Sequence, residues 1–233
     1  MNEQNPIPQA TLTRIREATE RVPDGRMVLF HGSKHGISGP IRPSSRPRCD
    51  FGSGFYMGTE PEQALSLICA FENAVFYVLS LETDQIQSFE VPGGLDWALL
   101  VAYNRGKMDH LRGSAFYEKY AKMTADCDLL IGNIANDRMY YVMDQFFSGL
   151  ITDVGLIHSL SVLQLWKQYV AVTERACAAI RIEQEIPLSR EEKLAWQLVS
   201  AENRGRGVRA ANEIVRQFRR EGRFFDEILG NVD

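Results

Sequence analysis

No apolar run in this chain approaches the roughly 20 residues that a membrane-crossing helix needs, which excludes a helical membrane protein. Cysteine is scarce: Cys49, Cys69, Cys127 and Cys177 stand far apart with no C-x-x-C pair, and there are only 4 histidines. That pattern argues against both a zinc site and a disulfide scaffold, and the four thiols read as reduced, in a cytosol. No Walker loop and no dinucleotide fingerprint is present. Gly52-Ser53-Gly54 has the spacing of neither, so a Rossmann fold is disfavoured. Charge of one sign does not dominate: 26 Lys and Arg stand against 30 Asp and Glu, a net charge of −4, so there is no global nucleic-acid footprint, only room for a local basic patch. Met1 to Pro8 is polar, with no basic stretch leading into an apolar one, so no secretory signal is expected. The expected location is the cytoplasm, with delivery as a signal-less effector left open.

What is present is a core. Hydrophobic residues make up 45% of 233, the proportion of an ordinary globular chain with one domain and an extension, or two small domains. Helical spacing of Leu12, Ile15 and Ala18 predicts a helix over 9–22, stopped at Pro23-Asp24-Gly25. Strands are expected at 27–31, 54–58, 74–81, 86–91, 128–132, 169–173 and 179–182. Helices are expected after Thr59 as N-cap, at 95–105, 115–125, 137–148 and from Thr152 or Asp153 to about 160. Pro187-Leu188-Ser189 marks a boundary. Ser189, followed by Arg190-Glu191-Glu192, is a serine cap with acid in the first turn, and the rest reads as two or three helices broken near Gly205-Arg206-Gly207 and Gly222. Strands and helices intermix without the steady alternation of a doubly wound sheet, so the class is α+β. The expected organisation is a helical lead over 1–26, a central domain over 27–183 and a helical, arginine-rich extension over 187–233.

Two short segments carry the chemistry. One is Val28-Leu29-Phe30-His31-Gly32-Ser33 and the other Asp50-Phe51-Gly52-Ser53-Gly54-Phe55-Tyr56-Met57, with a long Gly-, Pro- and Arg-rich loop between them. Long irregular loops in compact domains are commonly functional. Glycine beside His31 lets a backbone approach a flat ring, the imidazole donates to or accepts from a hydroxyl, and Tyr56 offers a stacking face. Taken singly, each is as readily a core histidine or tyrosine flanking a loop.

Together, in this order, these segments resemble the His/Tyr branch of the ADP-ribosyltransferase superfamily. Asp-Phe-Gly-x-Gly-Phe-Tyr in particular resembles a bacterial branch catalogued as a domain of unknown function. Three further stretches are similar: Pro61-Glu62-Gln63-Ala64, Asp128 to Asp137, and Gln168-Tyr169-Val170-Ala171-Val172. The likeness covers about residues 27–180. It implies a split β-core with flanking helices, NAD in the cleft as co-substrate and no metal. It carries His31 onto the ribose-contacting histidine, Tyr56 onto the nicotinamide-stacking tyrosine and Gly32 onto the backbone that holds the nicotinamide amide. Ser33, Asp50, Phe51, Gly52, Gly54 and Phe55 complete the implied NAD-binding set.

At the third position the family usually has a glutamate, and this chain has Gln168. Three readings stand: Gln168 suffices, with Asp137 or another acid helping; Glu174 is the true third residue; or the domain binds NAD without turnover. Arg46 and Arg48, with Arg42, either grip a pyrophosphate or are solvated loop charges. Asn136 and Asp137 are either a helix cap or groups on the acceptor or ribose side. Seven arginines, at 204, 206, 209, 216, 219, 220 and 223, are opposed only by Glu213 and Glu221 over the same stretch, giving either a solvated helix face or a surface for an acidic partner or nucleic-acid phosphates. Phe218, Phe224, Phe225, Ile228 and Leu229 make the same segment apolar enough to dock on the central domain or a partner. The resemblance implies transfer of ADP-ribose from NAD to a macromolecular acceptor, protein or nucleic acid, by a bacterial toxin or effector, with an antitoxin or other protein on the C-terminal helices. The alternative is a catalytically weak NAD- or ADP-ribose-binding module.

Overall fold

The computed structural model describes residues 6–45, 48–134, 137–161, 166–218 and 221–230. Its strands are β1 (Met27–Ser33), β2 (Phe55–Gly58), β3 (Val75–Leu81), β4 (Ser88–Glu90), β5 (Leu129–Asn133), β6 (Lys167–Ala171) and β7 (Ile180–Pro187). They form a seven-stranded sheet in the order β4-β5-β6-β2-β1-β3-β7, antiparallel throughout except between β4 and β5. The helices are α1 (Pro6–Thr19), α2 (Pro61–Ile68), α3 (Leu95–Asn104), α4 (Ala115–Met123), α5 (Asp137–Phe147), α6 (Asp153–Ser161), α7 (Glu174–Ala178), α8 (Arg190–Phe218) and α9 (Phe225–Gly230), with a 3-10 turn at Asp109–Leu111. The class is α+β.

The sheet is divided. β1 pairs with β3 along its whole length, from Met27 opposite Leu81 to Ser33 opposite Val75. β2 pairs with β6 from Phe55 opposite Ala171 to Gly58 opposite Gln168. Between β1 and β2 the pairing is a single register pair, Phe30 with Gly58. The two halves, β7-β3-β1 and β2-β6-β5-β4, are therefore joined at one point. Beyond it, His31–Ser33 and Phe55–Met57 belong to different ladders.

Period-two alternation distributes the core around this junction. Phe30, Phe76, Val78 and Ile186 project from the β1 half onto α1, α2 and the start of α8, where Ile15, Ala64, Leu65 and Trp196 complete one cluster. Leu130 and Val170 project from the other half onto α3, α5 and α6, and Phe225 and Ile228 of α9 fill the same cluster. The opposite face holds Leu29, Phe55, Met57, Tyr77 and Leu79, with Ile37 and Ile41 of the long loop packed on it. Asp128 ties the β5 entrance to α7. Its carboxylate accepts from the Gln87 N–H (3.0 Å), the Thr173 hydroxyl (2.8 Å) and Arg175, whose hydrogen bond leads the causes that hold the carboxyl down at about 2.

Several expectations shift. α1 begins at Pro6 and ends at Thr19, earlier than the periodicity predicts. The cap of α2 is Glu60 rather than Thr59, without a side-chain hydrogen bond. β7 runs to Pro187, well past Ile182, because β3 templates it as far as Val75 opposite Pro187. Ser189 caps α8 as predicted: its hydroxyl accepts from the Glu192 N–H (3.1 Å), and Glu192 accepts from the Ser189 N–H (2.8 Å), a reciprocal capping box. The break predicted at Gly205-Arg206-Gly207 is absent, and α8 continues to Phe218. Packing on α6, α5, α1 and α2 outweighs a helix penalty of about 1 kcal/mol per glycine. Gly222 lies before α9 at φ +85°, and Asp153 fixes the chain there by accepting from the Val154 and Arg223 N–H groups, both at 2.8 Å.

Gly32 marks where α2 presses on β1. A Cβ there would lie 2.7 Å from both the Ala64 carbonyl oxygen and Ile68 Cγ2. Gly32→Ala is expected to destabilise the protein by about 1–3 kcal/mol, since backbone cannot yield as a side chain does. Gly230→Ala, where a Cβ meets nothing within 4 Å, should stay within about 0.5 kcal/mol. Thermal unfolding followed by circular dichroism compares the two; equal melting temperatures would overturn the assignment.

Candidate functional site

His31 lies at the point where the sheet divides. Its Nδ1 is 2.7 Å from the Tyr56 carbonyl oxygen, a bond that crosses from β1 to β2 where the ladder has stopped. A carbonyl only accepts, so Nδ1 carries the proton. Burial lowers the pKa of the ring, with the Tyr56 hydrogen bond opposing, and the neutral imidazole leaves Nε2 as an acceptor. The ring stacks on Phe55 with centroids 4.5 Å apart, and Tyr77 stands at 6.2 Å. The Tyr77 hydroxyl accepts from the Ile37 N–H (2.8 Å) and so anchors the loop over this face. Ser33 begins the loop turn, its hydroxyl donating to the Gly36 carbonyl at 2.8 Å.

Tyr56 projects to the other face of β2. Its hydroxyl donates to the Gly52 carbonyl (2.8 Å) and accepts from the Phe51 N–H (3.0 Å), and burial raises its pKa, so it stays protonated. The phenol is therefore the peg on which the Asp50–Gly54 turn is wound. Gly52 takes φ +78°, a conformation natural to glycine. Phe51 is buried with its ring over Gly132. Gly54 lies where a Cβ would come 2.5 Å from Val170 Cγ1, so β2 and β6 approach closely there.

Gln168 is 5% exposed and Asp50 7%. The Gln168 Nε2 donates to Asp50 Oδ2 (3.2 Å) and to the Asn133 carbonyl (3.0 Å). Both partners are acceptors, which fixes the amide's orientation and leaves Oε1 as its outward acceptor. Asp50 Oδ1 accepts from Arg105 Nε (3.0 Å) and Nη2 (2.5 Å). The Arg105 guanidinium also lies 3.9 Å from the centre of the Tyr140 ring. Burial penalises the Arg105 charge, but the Asp50 carboxylate and Tyr140 outweigh that and its pKa is raised. Asn104 Nδ2 adds a bond to the Asp50 carbonyl at 3.0 Å. The result is one chain of polar contacts, Tyr140–Arg105–Asp50–Gln168–Asn133, buried at Asp50 and Gln168.

The predicted residues thus fall into two groups. His31, Phe55 and Ser33 share one face; Tyr56, Asp50, Phe51 and Gln168 share the other, and the groups touch through the Tyr56 backbone. Arg48 lies apart, with φ +64°, beside Gly106 and Asp109 in a shallow cleft also lined by Tyr103, Asn104, Arg112 and Tyr117. Glu174 is exposed in the first turn of α7, outside both groups. Arg46 and Asn136 lie outside the described residues, as does the side chain of Asp137, which opens α5. Of the seven C-terminal arginines, the side chains of Arg216 and Arg223 are described, and both are exposed. Of the apolar residues there, Phe218 stacks on His158 at 4.0 Å, Phe225 packs against Phe146 and Phe147 and Ile228 joins the same cluster, while Phe224 stays exposed.

Arg105 and Asn133 were not singled out by the sequence. The one signal for Arg105 was its place at the C-terminal end of a predicted helix, where a cation is favoured; nothing local links it to Asp50, 55 residues away.

No curated protein and no solved structure matches the chain. A family model does match, over residues 27–182, from the first residue of β1 into β7, and it contains both motifs and Gln168. That span is more than half of the chain, and by it the protein belongs to the family described as protein of unknown function DUF3990.

Proposed function

We propose that this protein binds NAD at the divided sheet and transfers ADP-ribose to a macromolecular acceptor, releasing nicotinamide. One observation carries the reading: beyond the single pair Phe30–Gly58 the strands holding His31-Gly32-Ser33 and Phe55–Met57 separate, and a neutral His31 bridges the gap to the Tyr56 carbonyl, at the end of the Asp50–Gly54 turn. An edge released from its ladder offers backbone groups to a planar amide, and the Nε2 of a neutral His31 accepts from a ribose hydroxyl. The fixed Oε1 of Gln168 is a second acceptor for the same class of donor. In the transfer the glycosidic C–N bond breaks, its electron pair leaves with nicotinamide, and the acceptor's nucleophile bonds to the anomeric carbon as it loses a proton. Preorganised dipoles around the developing oxocarbenium are what such a site supplies. Ile37 and Ile41 pack over the His31 face, so the reading requires the loop segment that carries them to move for NAD to enter. Action as a toxin or effector belongs to this proposal through the family resemblance alone.

A second reading, a binding module without turnover, is favoured by Gln168 itself. Its position carries no charge, and both its N–H groups are tied to Asp50 and Asn133.

His31→Ala is expected to abolish nicotinamide release from labelled NAD and the appearance of label in protein, RNA or DNA of a bacterial lysate. Full activity in that variant would sink the site assignment. The folded pKa of His31 is depressed below 6.5, so the acceptor is present above it and is lost as pH falls through it. Turnover should therefore decline on acidification, with a midpoint below 6.5, and show no such limb at neutral pH.

Gln168→Glu separates the two readings. It sets a second carboxylate against Asp50 and removes the donor that fixes the side chain, so the transferase reading expects turnover to fall. A rise in NAD hydrolysis would instead identify a degenerate, binding-only site.

A further inference from the structure

The α2 helix begins with an anomaly. Gln63 is its third residue, the position from which a glutamine ordinarily reaches back to the cap N–H. Here it does not. The side chain turns toward the sheet and rests on Gly58, where a Cβ would lie 2.5 Å from Gln63 Oε1. Gln63 is 9% exposed, and its amide makes no hydrogen bond to any described residue. Gly58 is also the residue opposite Gln168. Directly opposed strand residues share a face, with Cβ positions about 5 Å apart. Two primary amides, from α2 and from β6, thus meet over one glycine at the sheet junction.

Their hydrogen-bonding capacities are unequal. Gln168 has spent both N–H groups on Asp50 and the Asn133 carbonyl and retains Oε1. Gln63 retains both its carbonyl and its N–H groups. A buried amide without a partner is costly, and neither open amide end is sealed from solvent, which is the condition for a ligand to satisfy it. Two acceptors and one donor set, all uncharged, match a vicinal diol: each hydroxyl donates to one amide oxygen, and one of them accepts from the Gln63 N–H. Glycine at 58 supplies the space, because any side chain there would displace the Gln63 amide.

We infer that Gln63 is a binding residue which, with Gln168, holds the vicinal diol of a ribose at the sheet junction. The inference rests on the NAD reading of the same site, and it adds what that reading lacked: a second amide that grips the sugar where the family pattern has a carboxylate. The pair reads hydroxyls without bringing a charge, so its selectivity is for the diol rather than for a cation.

The test is calorimetric titration of the full chain with uncleavable carba-NAD and with its counterpart lacking the 2′-hydroxyl on the nicotinamide side. The same titrations are made on Gln63→Met, which keeps volume and helix propensity but removes the amide, and on Gln63→Ala. The parent should prefer the intact diol by about tenfold, the worth of one or two hydrogen bonds, and both variants should show a clearly smaller preference, keeping at most what Gln168 supplies. Circular dichroism melts of the variants confirm that they fold. A preference that survives undiminished in folded Gln63→Met, or that is absent from a parent which binds carba-NAD, overturns the role of Gln63 and leaves the NAD reading standing. Failure of the parent to bind carba-NAD at all overturns the NAD reading, and this inference with it.

Discussion

Between β1 and β2 the ladder is one residue pair wide, and the rest of the molecule is arranged around that constraint. Phe30 and Gly58 hold the two half-sheets together. One step further, the strands have separated and the bond between them is no longer backbone to backbone: it is the His31 imidazole donating to the Tyr56 carbonyl. A ladder that stopped there without a substitute would leave buried backbone acceptors unsatisfied, at a cost of about 1–3 kcal/mol each. His31 removes one such orphan and in doing so is fixed as a single tautomer. The junction's structural requirement and the chemical character of its histidine are the same interaction.

Each half-sheet is then secured independently. On the β1 side, α1, α2 and the capped start of α8 close over Phe30, Phe76 and Trp196. On the β2 side, α3, α5, α6 and α9 close over Val170 and Leu130. Helix α8 contacts elements of both groups, α1 and α2 near its start and α5 and α6 beyond. At about 1.5 Å per residue, its 29 residues give it the length to span them. The extension that follows the family match is thus part of the support for the divided sheet, and Phe225 and Ile228 are core residues rather than a free apolar surface.

The polar chain from Tyr140 through Arg105, Asp50 and Gln168 to Asn133, buried at its centre, is the second organising device. A buried carboxylate needs a paired cation and further donors, and Asp50 has Arg105 and Gln168. That pairing orients Gln168, and the Tyr56 phenol orients the turn from which Asp50 comes. Tyr56, singled out for a stacking face, therefore acts first through its hydroxyl. The proposed site stands on one fixed amide, that of Gln168, and one fixed imidazole.

The sequence by itself determined most of the elements, because each is a local matter. The apolar run at 27–31, the β-former-rich stretch at 74–81 and the Ser189 cap all depend on residues within a few positions of one another. It also marked His31 and Tyr56 as a pair, since their motifs are short and ordered. Helix α8 running through Gly205 and Gly207, and β7 extending to Pro187, were illegible because packing and a templating neighbour overrode local propensity. The tertiary structure alone decided which side chains meet. Arg105 reaches Asp50 across 55 residues, Gln168 reaches it across 118, and Gln63 lies on Gly58 because a helix start was swung over a strand junction. No local pattern encodes such meetings: they exist only once the sheet has chosen its order and register.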